Sequence, residues 1–341
     1  MSAEPVRAAI VGLGRWGQSL VDAAGSAERR LIFTRAATRS PEKAADFCES
    51  RGLILDADLD VLLRHDDLEA VVLATPHSQH AAQIRRIAAA GCHVFVEKPL
   101  ALTLADARSA VTACESASVT LAVGFNRRFL PAYRALHALI DADRIGQPLH
   151  VEGSFCGSFG YGYSDDMWRG SRTENPAGGM AAMGIHVLDA MIAIMGPVRR
   201  VSVLSRRMAV SSGLDDTTTV HLEFARGATG MLSTLMATAS FWRLHVFGSK
   251  GWAQMPDQAR LITATLSNGS TDLAFDSADT LAAELGCFAE AIRGNRCYPV
   301  TTAQALAGVA AMEAIARSAR CNGEWVEVEQ VAAPDMTRQE N

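Results

Sequence analysis

Two residues of this chain have side chains suited to moving a proton. Lys98 stands in Glu97-Lys98-Pro99, directly after a short apolar run, and His186 stands in an apolar stretch at 178–189. A lysine at the carboxyl end of a parallel strand can orient a substrate hydroxyl and help to move its proton. A histidine can do the same, because its ordinary pKa lies near neutral pH. A lone lysine or histidine is more often a solvated charge or a core residue, so both assignments depend on the surrounding elements.

A glycine-rich turn near the N-terminus predicts a dinucleotide site. The motif Gly12-Leu13-Gly14-Arg15-Trp16-Gly17 follows an apolar, β-branched run and opens a predicted helix. The first glycine permits the tight turn, the second lets the backbone approach the pyrophosphate, and the third allows close helix–strand packing. The helix N-terminus then offers free N–H groups to the phosphates. The residues expected to contact the cofactor here are Gly12, Gly14, Arg15, Trp16 and Gly17.

The residues after the second predicted strand favour NADP over NAD. An NAD site commonly has an Asp or Glu there, which holds the ribose 2′-hydroxyl. This chain has Thr38-Arg39-Ser40 and no acid. An arginine flanked by hydroxyl groups can bind a 2′-phosphate. The alternative is a solvated arginine beside the N-cap of a helix that begins at Pro41.

Short apolar runs alternate with helical patterns in the first third of the chain. This alternation predicts right-handed βαβ units and a doubly wound parallel sheet, which is the Rossmann fold. The expected strands are Arg7–Leu13, Leu31–Thr38, Ala70–Thr75, His93–Glu97 and Thr120–Phe125. The expected helices lie near 16–25, 41–51, 78–90 and 104–117.

The pattern changes after about residue 126, where consecutive strands replace the alternation. Such a run of strands predicts a large, mainly antiparallel open sheet, and hence an α+β domain. The expected strands are 149–156, Arg200–Arg206, Thr217–Phe224, Thr229–Ala237, Leu244–Phe247 and Leu261–Leu266. The expected helices lie near 131–142, 179–195, 279–293 and 302–319. We therefore expect an α/β Rossmann domain at 1–126, an α+β substrate-binding and oligomerisation domain at 127–330, and a polar tail at 331–341.

The composition argues against several classes of function. The chain has 341 residues, a formal net charge of −5 and no basic block, unlike most nucleic-acid binders. Seven scattered cysteines without a C-x-x-C pair favour a reducing compartment over a disulfide framework. The N-terminus lacks the pattern of a signal peptide, so a cytoplasmic location is expected. The apolar run at 180–198 contains His186 and Asp189, which predicts a buried helix and no membrane span.

Four motifs together resemble one family of oxidoreductases. They are the glycine turn, Thr75-Pro76-His77 with His80, Glu97-Lys98-Pro99, and the Gly-Gly…Gly-x-His-x-x-Asp segment at 178–189. The family is that of glucose–fructose oxidoreductase, inositol dehydrogenase and the rhizopine-catabolism proteins (Gfo/Idh/MocA), and the resemblance covers nearly the whole chain. It implies a nicotinamide-dependent enzyme that transfers hydride to or from a small molecule, mostly a sugar, cyclitol or related polyol. Some members instead oxidise cyclic dihydrodiols of aromatic compounds.

The resemblance also implies roles for single residues. Lys98 matches the lysine that contacts substrate and nicotinamide, and His186 matches a histidine that serves as acid–base group or substrate ligand. The positions that match cofactor-lining residues are Thr75, Pro76, His77, His80, Glu97, Asn126, Trp168 and Arg169. Arg127, beside Arg128, could bind an acidic group of the substrate or belong to a surface pair. His77 and His80 have a metal-like spacing, but no further ligands are evident nearby, so no metal is expected. A homodimer or homotetramer through the C-terminal sheet is also implied.

One position departs from the family pattern. Many members carry an aspartate four residues before the histidine, and this chain has Ala182 there. Three alternatives follow: His186 acts with Lys98 alone, Tyr161 or Tyr163 supplies the acid and binds substrate, or the chain is a non-catalytic dinucleotide-binding sensor or scaffold. We favour Lys98 with His186, because a histidine pKa suits proton transfer near neutral pH.

Overall fold

The computed structural model describes residues 4–26, 30–267 and 269–331 and divides into two compact units. The first unit comprises the chain up to Ala101, then Ala105–Phe129 and Ala278–Val300. The second comprises Leu102–Leu104, Leu130–Ser277 and the chain from Thr301 onward. Residues 278–300, which the sequence analysis places in the second domain, thus belong to the first unit. The expected polar tail lies outside the described residues, apart from residue 331.

A six-stranded parallel sheet forms the centre of the first unit, as far as the chain is described. Its strands are β1 (Val6–Val11), β2 (Leu31–Ala37), β3 (Ile54–Asp56), β4 (Ala70–Leu73), β5 (His93–Glu97) and β6 (Leu121–Gly124). Their spatial order is β3-β2-β1-β4-β5-β6, which confirms the predicted Rossmann fold. The order reverses between β1 and β4, and ligands of such sheets bind beyond the carboxyl ends of the strands at this point.

Nine α-helices occur in the described residues. They are α1 (Arg15–Ser26), α2 (Pro41–Arg51), α3 (Leu59–Leu62), α4 (His80–Ala89), α5 (Leu104–Ser116), α6 (Pro131–Asp141), α7 (Ile185–Met195), α8 (Thr280–Ile292) and α9 (Thr302–Arg320). Local signals explain several of their ends. Proline occupies the first turn of α2, and Gly52 closes that helix in the left-handed conformation, with φ 65°. The Thr301 side chain and Gln304 form a capping box at the start of α9.

Helix α8 packs into the first unit although it follows the second sheet in sequence. The ring of Phe288 meets that of Phe95 edge-on, with centroids 5.7 Å apart, and both side chains are wholly buried. Beyond the helix, Arg293 forms an ion pair with Glu69 at 2.6 Å, and the Tyr298 hydroxyl donates to the Val123 carbonyl at 3.1 Å. These aromatic and polar contacts explain why residues 278–300 complete the core of the first unit.

The second unit contains a nine-stranded sheet within the described residues. Its strands are β7 (Pro148–Cys156), β8 (Val198–Arg206), β9 (Thr217–Phe224), β10 (Thr229–Leu235), β11 (Phe241–Gly248), β12 (Gly251–Met255), β13 (Arg260–Thr265), β14 (Gly269–Ala274) and β15 (Val326–Glu327). Their order is β14-β13-β12-β11-β7-β10-β9-β8-β15. Each neighbouring pair is antiparallel except β7 with β10, which confirms the predicted mainly antiparallel sheet.

One face of this sheet is covered by helices. Helix α7 packs against β7 and α9, and α9 packs against β8. Burial alternates along the strands, for example in β9, where every second residue is buried. In the part of the chain that the structure describes, no helix combines the length and the apolar character needed to cross a membrane.

Candidate functional site

The glycine turn joins β1 to α1 through close backbone contacts. Gly12 has φ +97°, and a Cβ there would lie 2.5 Å from the Ala74 carbonyl oxygen. A Cβ on Gly17 would lie 1.9 Å from the Gly12 carbonyl oxygen, so the helix approaches the turn too closely for any side chain. A Cβ on Gly14, in contrast, would meet no atom within 4 Å. The space above Gly14 is therefore open at the N-terminus of α1, which fits a pyrophosphate held by backbone N–H groups.

We expect alanine to affect stability at Gly17 and dinucleotide binding at Gly14. Gly17→Ala should destabilise the protein by about 3 kcal/mol or more, because the new methyl group overlaps a backbone carbonyl. Gly14→Ala should leave the melting temperature unchanged but weaken dinucleotide binding about tenfold or more, because its methyl group fills the open space. Thermal unfolding and titration of the reduced dinucleotide's fluorescence measure the two effects. A Gly14→Ala variant with unchanged affinity would contradict the placement of the pyrophosphate.

The strand β2 ends at Ala37, so the predicted cofactor-selecting residues follow it directly. The Gly12 backbone N–H donates to the Ala37 carbonyl at 2.8 Å, which joins the glycine turn to the end of β2. Thr38 and Ser40 are half-buried and Arg39 is exposed. The Ser40 side chain makes no capping hydrogen bond to α2. Arg39 forms no ion pair with any residue that the structure describes, so its guanidinium is available to an anion.

A hydrogen bond joins the glycine turn to the residue before Lys98. The Trp16 indole donates to the Glu97 carboxylate, which also accepts the Lys98 backbone N–H. Glu97 is buried at the carboxyl end of β5, and Lys98 follows it with a cis peptide bond to Pro99. Burial raises the pKa of the Glu97 carboxyl, while Lys98, Trp16 and other neighbours oppose this shift. Within the first unit, the candidate catalytic lysine is therefore adjacent to the candidate phosphate-binding turn.

His80 connects the loops that follow β4 and β5. Its Nδ1 lies 2.7 Å from the Pro99 carbonyl oxygen, and its Nε2 lies 3.0 Å from the Thr75 carbonyl oxygen. Because a carbonyl oxygen only accepts, the ring nitrogen that carries the proton donates to its carbonyl, and both nitrogens are directed at backbone oxygens. His80 is wholly buried, and the His77 ring lies edge-on to it, with centroids 5.9 Å apart. His80 thus links the loop after β4 to Pro99, the residue that follows Lys98.

Two other residues that are predicted to line the cofactor form side-chain hydrogen bonds within the first unit. The Thr75 hydroxyl donates to Gln83 Oε1 at 2.6 Å, and Asn126 Nδ2 donates to Thr280 Oγ1 at 3.0 Å. Asn126 begins a 3₁₀ turn, Asn126–Phe129, that also contains Arg127 and Arg128. Arg128 is buried and Arg127 is half-buried, so the expected alternative of a surface pair is wrong. Burial lowers the pKa of Arg127, and the nearby Glu284 and Glu97 oppose this shift.

The second unit places His186 just after an irregular turn. The sequence predicts one helix near 179–195, but residues Met180–Gly184 form a π-helical turn, and α7 begins only at Ile185. Ala182 lies inside this turn, so its four-residue separation from His186 is not the one-turn spacing of a regular α-helix. His186 is buried, and its ring centroid lies 6.2 Å from that of Phe155.

The glycine pair before this turn is required by close packing on the second sheet. A Cβ on Gly178, which has φ +60°, would lie 1.9 Å from the Asp215 carbonyl oxygen. A Cβ on Gly179 would lie 2.7 Å from Thr234 Oγ1. The Gly-Gly motif is therefore explained by close approach to the backbone just before β9 and to a side chain of β10.

The aromatic loop at 157–170 contains two short 3₁₀ turns, Phe159–Gly162 and Trp168–Gly170. Tyr161 is exposed and its hydroxyl donates to the Ala237 carbonyl at 3.2 Å. Burial raises the pKa of the Tyr163 phenol, and Arg169 opposes this shift. The Arg169 guanidinium carbon lies 4.2 Å from the centre of the Trp168 ring, which is a cation–π contact. Tyr163 thus remains a phenol at neutral pH.

Glu284 is a buried acidic residue that no sequence motif indicates. It lies on α8, is wholly buried in the first unit, and has a pKa raised well above the ordinary carboxyl range by burial and by the nearby Glu97. In the sequence it is one acidic residue among many, and no spacing links it to Glu97. Only the folding of α8 onto the first unit brings it into this cluster.

Comparison with known proteins identifies both parts of the chain. Residues 6–125 match the model of the Gfo/Idh/MocA oxidoreductase family with its NAD-binding Rossmann fold, and residues 133–254 match that of the Gfo/Idh/MocA C-terminal domain. A 1,5-anhydro-D-fructose reductase from Ensifer adhaerens is 28% identical over 338 residues, which cover 93% of this chain and 99% of that protein.

Two further relatives differ in the cofactor that they are described with. A scyllo-inositol 2-dehydrogenase (NAD(+)) from Bacillus subtilis strain 168 is 33% identical over 152 residues, which cover 43% of this chain and 44% of that protein. A crystal structure from Desulfitobacterium hafniense DCB-2, described as that of an NADPH-dependent oxidoreductase, has 27% identity and a TM-score of 0.87, and the match covers 95% of this chain and 98% of that one. With both domain models matched and its fold shared, this chain belongs to the Gfo/Idh/MocA family of nicotinamide-dinucleotide-binding oxidoreductases.

Proposed function

We propose that this chain catalyses reversible hydride transfer between NADP(H) and a hydroxyl- or carbonyl-bearing carbon of a sugar, cyclitol or related polyol. The observation that carries the proposal is the contact between Trp16 of the glycine turn and Glu97, the neighbour of Lys98. Lys98, whose amino group can exchange a proton, directly follows Glu97, and the open space above Gly14 suits a pyrophosphate. The nicotinamide supplies the hydride chemistry when bound, so the protein needs to align the substrate and manage one proton.

We assign that proton to Lys98 and His186, with Tyr163 and Tyr161 as alternative acids. Retention of both residues in the family's pattern supports an enzyme despite Ala182. The residues proposed to contact the substrate are Lys98, His186, Tyr161, Tyr163 and Arg127. Those proposed to contact the cofactor are the glycine turn, residues 38–40, the Thr75–His80 loop, Glu97, Asn126, Trp168 and Arg169. His80, being wholly buried, would act on the cofactor through the loops that it joins.

A substrate screen tests the function directly. The purified protein is mixed with each oxidised and reduced dinucleotide and with pools of sugars, cyclitols and cyclic dihydrodiols, and the absorbance of the reduced nicotinamide is followed. Turnover of a sugar or cyclitol pool supports the proposal. Turnover of dihydrodiols alone would replace it with the aromatic alternative, which the exposed Tyr161 and the Trp168 ring favour. Tight dinucleotide binding without turnover of any pool would indicate a sensor or scaffold.

Arg39 is proposed to select NADP by pairing with the 2′-phosphate. Arg39→Ala should raise the Kd for NADP about 10- to 100-fold and leave that for NAD nearly unchanged, because NAD lacks the phosphate. Arg51→Ala is a matched control, since Arg51 is paired with Asp22 at the far end of α2. Fluorescence titrations with both reduced dinucleotides measure the ratio. A wild-type protein that already prefers NAD would refute this assignment.

We further propose that the second sheet mediates a homodimer or homotetramer and that the protein is cytoplasmic. Leu204, Met231 and Phe241 expose large apolar side chains on strands of this sheet, and a self-complementary apolar face is typical of two-fold interfaces. The seven cysteines are free thiols, which suits a reducing compartment. Sedimentation measurements determine the oligomeric state.

A further inference from the structure

Among the described residues of the first unit, three buried carboxylate oxygens have no hydrogen-bond partner. They are Glu97 Oε1 and both oxygens of Glu284. Glu284 has no exposed surface at all, and Glu97 is also buried. A buried carboxylate without donors is costly, because it loses its hydration and gains nothing in return. Glu97 receives donors at its carboxylate from Trp16 and from the Lys98 backbone, whereas Glu284 receives none.

The charges around Glu284 do not compensate for a second buried anion. Glu97 at the end of β5 and Asp279 at the start of α8 both disfavour its ionisation, and only Arg127 favours it. Arg127 also favours the ionised form of Glu97, and so does Lys98. The half-buried Arg127 is therefore a cation that both buried carboxyl groups share. Burial is the largest cause that raises the pKa of each carboxyl, and that of Glu284 is raised the more strongly.

We propose that Glu97 and Glu284 share a single proton, held mainly by Glu284, and that this neutral carboxylic acid makes Glu284 a positioning residue for Lys98. A proton on Glu284 supplies a donor among three oxygens that otherwise only accept. Glu97 then keeps the single negative charge, which Arg127 balances. The ionised Glu97 is the acceptor for the Trp16 indole and the Lys98 backbone, so it fixes Lys98 relative to the glycine turn. The inference rests on the proposed function only in naming Lys98 as the residue that is positioned.

Glu284→Gln is the informative variant, because glutamine has the shape of the neutral acid and cannot ionise. Glu290→Gln on the same helix is the matched control, since Glu290 forms a partly exposed ion pair with Arg30 at 3.2 Å. Infrared spectra in heavy water at neutral pH should contain the C=O stretching band of a protonated carboxylic acid in the wild type. The band should disappear in Glu284→Gln and persist in Glu290→Gln.

The dependence of stability on pH provides a second readout. The pKa of Glu284 is raised on folding, so between the unfolded and folded values the folded chain holds a proton that the unfolded chain lacks. The contribution of Glu284 to stability is therefore full below the ordinary carboxyl range and declines as pH rises toward the folded value. Glutamine has no such dependence. The melting temperature of Glu284→Gln relative to wild type should thus increase with pH, by about 2 °C per pH unit, while that of Glu290→Gln stays parallel to wild type.

The opposite results would overturn the proposal. An ionised Glu284 paired with Arg127 would give no carboxylic-acid band, and Glu284→Gln would then lower the melting temperature by the same amount across neutral pH. Dinucleotide affinity tests the positioning role of Glu284. The affinity should weaken at alkaline pH in the wild type but not in Glu284→Gln. Equal pH profiles of affinity in the two proteins would show that the proton on Glu284 does not position Lys98. The infrared and stability measurements need neither dinucleotide nor substrate, so their failure is distinct from a failed substrate screen.

Discussion

Lys98→Met is expected to lower kcat by about 10²- to 10⁴-fold while dinucleotide binding persists. Methionine keeps the length of the side chain but removes the charge and the exchangeable protons. The dinucleotide's main contacts are proposed at the glycine turn and at Arg39, which the substitution leaves intact. Turnover with the substrate found in the screen and titration of the reduced dinucleotide's fluorescence separate the chemical step from binding.

The control for this experiment is another lysine of the first unit. Lys43 lies exposed on α2, and Lys43→Met should leave both turnover and affinity unchanged. If Lys98→Met raised KM with kcat unchanged, Lys98 would bind substrate without taking part in proton transfer. Unchanged kcat and KM would refute any role of Lys98 in the reaction.

The elements that the sequence predicts best are those with strong local signals. Helix α2 has the predicted bounds, because proline opens it and Gly52 ends it in a left-handed conformation. The strand β5 is a buried apolar run and also has its predicted bounds. In the glycine turn, the spacing of the motif matches the two positions, Gly12 and Gly17, at which the structure has no room for a side chain. The motif could therefore be interpreted without a structure.

The strands that the sequence analysis missed lack such signals. β3 and β15 span three and two residues, too short for any periodicity. β14 is exposed along its whole length, so no alternation of apolar residues indicates it. β12 follows β11 after a short turn, and only its antiparallel register with β11 and β13 makes it a strand. These strands form because they pair with neighbouring strands, and local sequence does not indicate them.

The same distinction applies to the candidate site. Lys98 and His186 stand in motifs that a sequence displays, whereas the partners that hold the site are distant in the chain. His80 reaches the Pro99 carbonyl 19 residues away, and Asn126 reaches Thr280 across 154 residues. The unit to which α8 belongs could not be predicted from its apolar pattern, since a buried helical face fits either core. Glu284 was missed for that reason.

His186→Gln is expected to lower kcat by about 10²- to 10⁴-fold without weakening dinucleotide binding. Glutamine retains hydrogen-bonding capacity and similar bulk in the buried position but cannot exchange a proton near neutral pH. Dinucleotide affinity should be unchanged, because the turn that binds the pyrophosphate belongs to the first unit and His186 to the second. Steady-state kinetics and dinucleotide titration measure the two quantities on one preparation.

The outcome also decides how the chain works without the family aspartate. His65→Gln, at a half-buried histidine of the first unit whose Nε2 lies 3.3 Å from Asp56 Oδ1, is the control and should behave as wild type. If His186→Gln retains full activity and Tyr163→Phe loses it, the phenol is the acid, and the raised pKa of Tyr163 explains why it stays protonated.

If Ala182→Asp increases kcat in the wild-type background, the π-turn still presents residue 182 to the proton pathway, and the chain is an enzyme that has lost part of its acid–base pair. If Ala182→Asp has no effect while His186→Gln abolishes turnover, the histidine suffices alone in the second unit, as we expect.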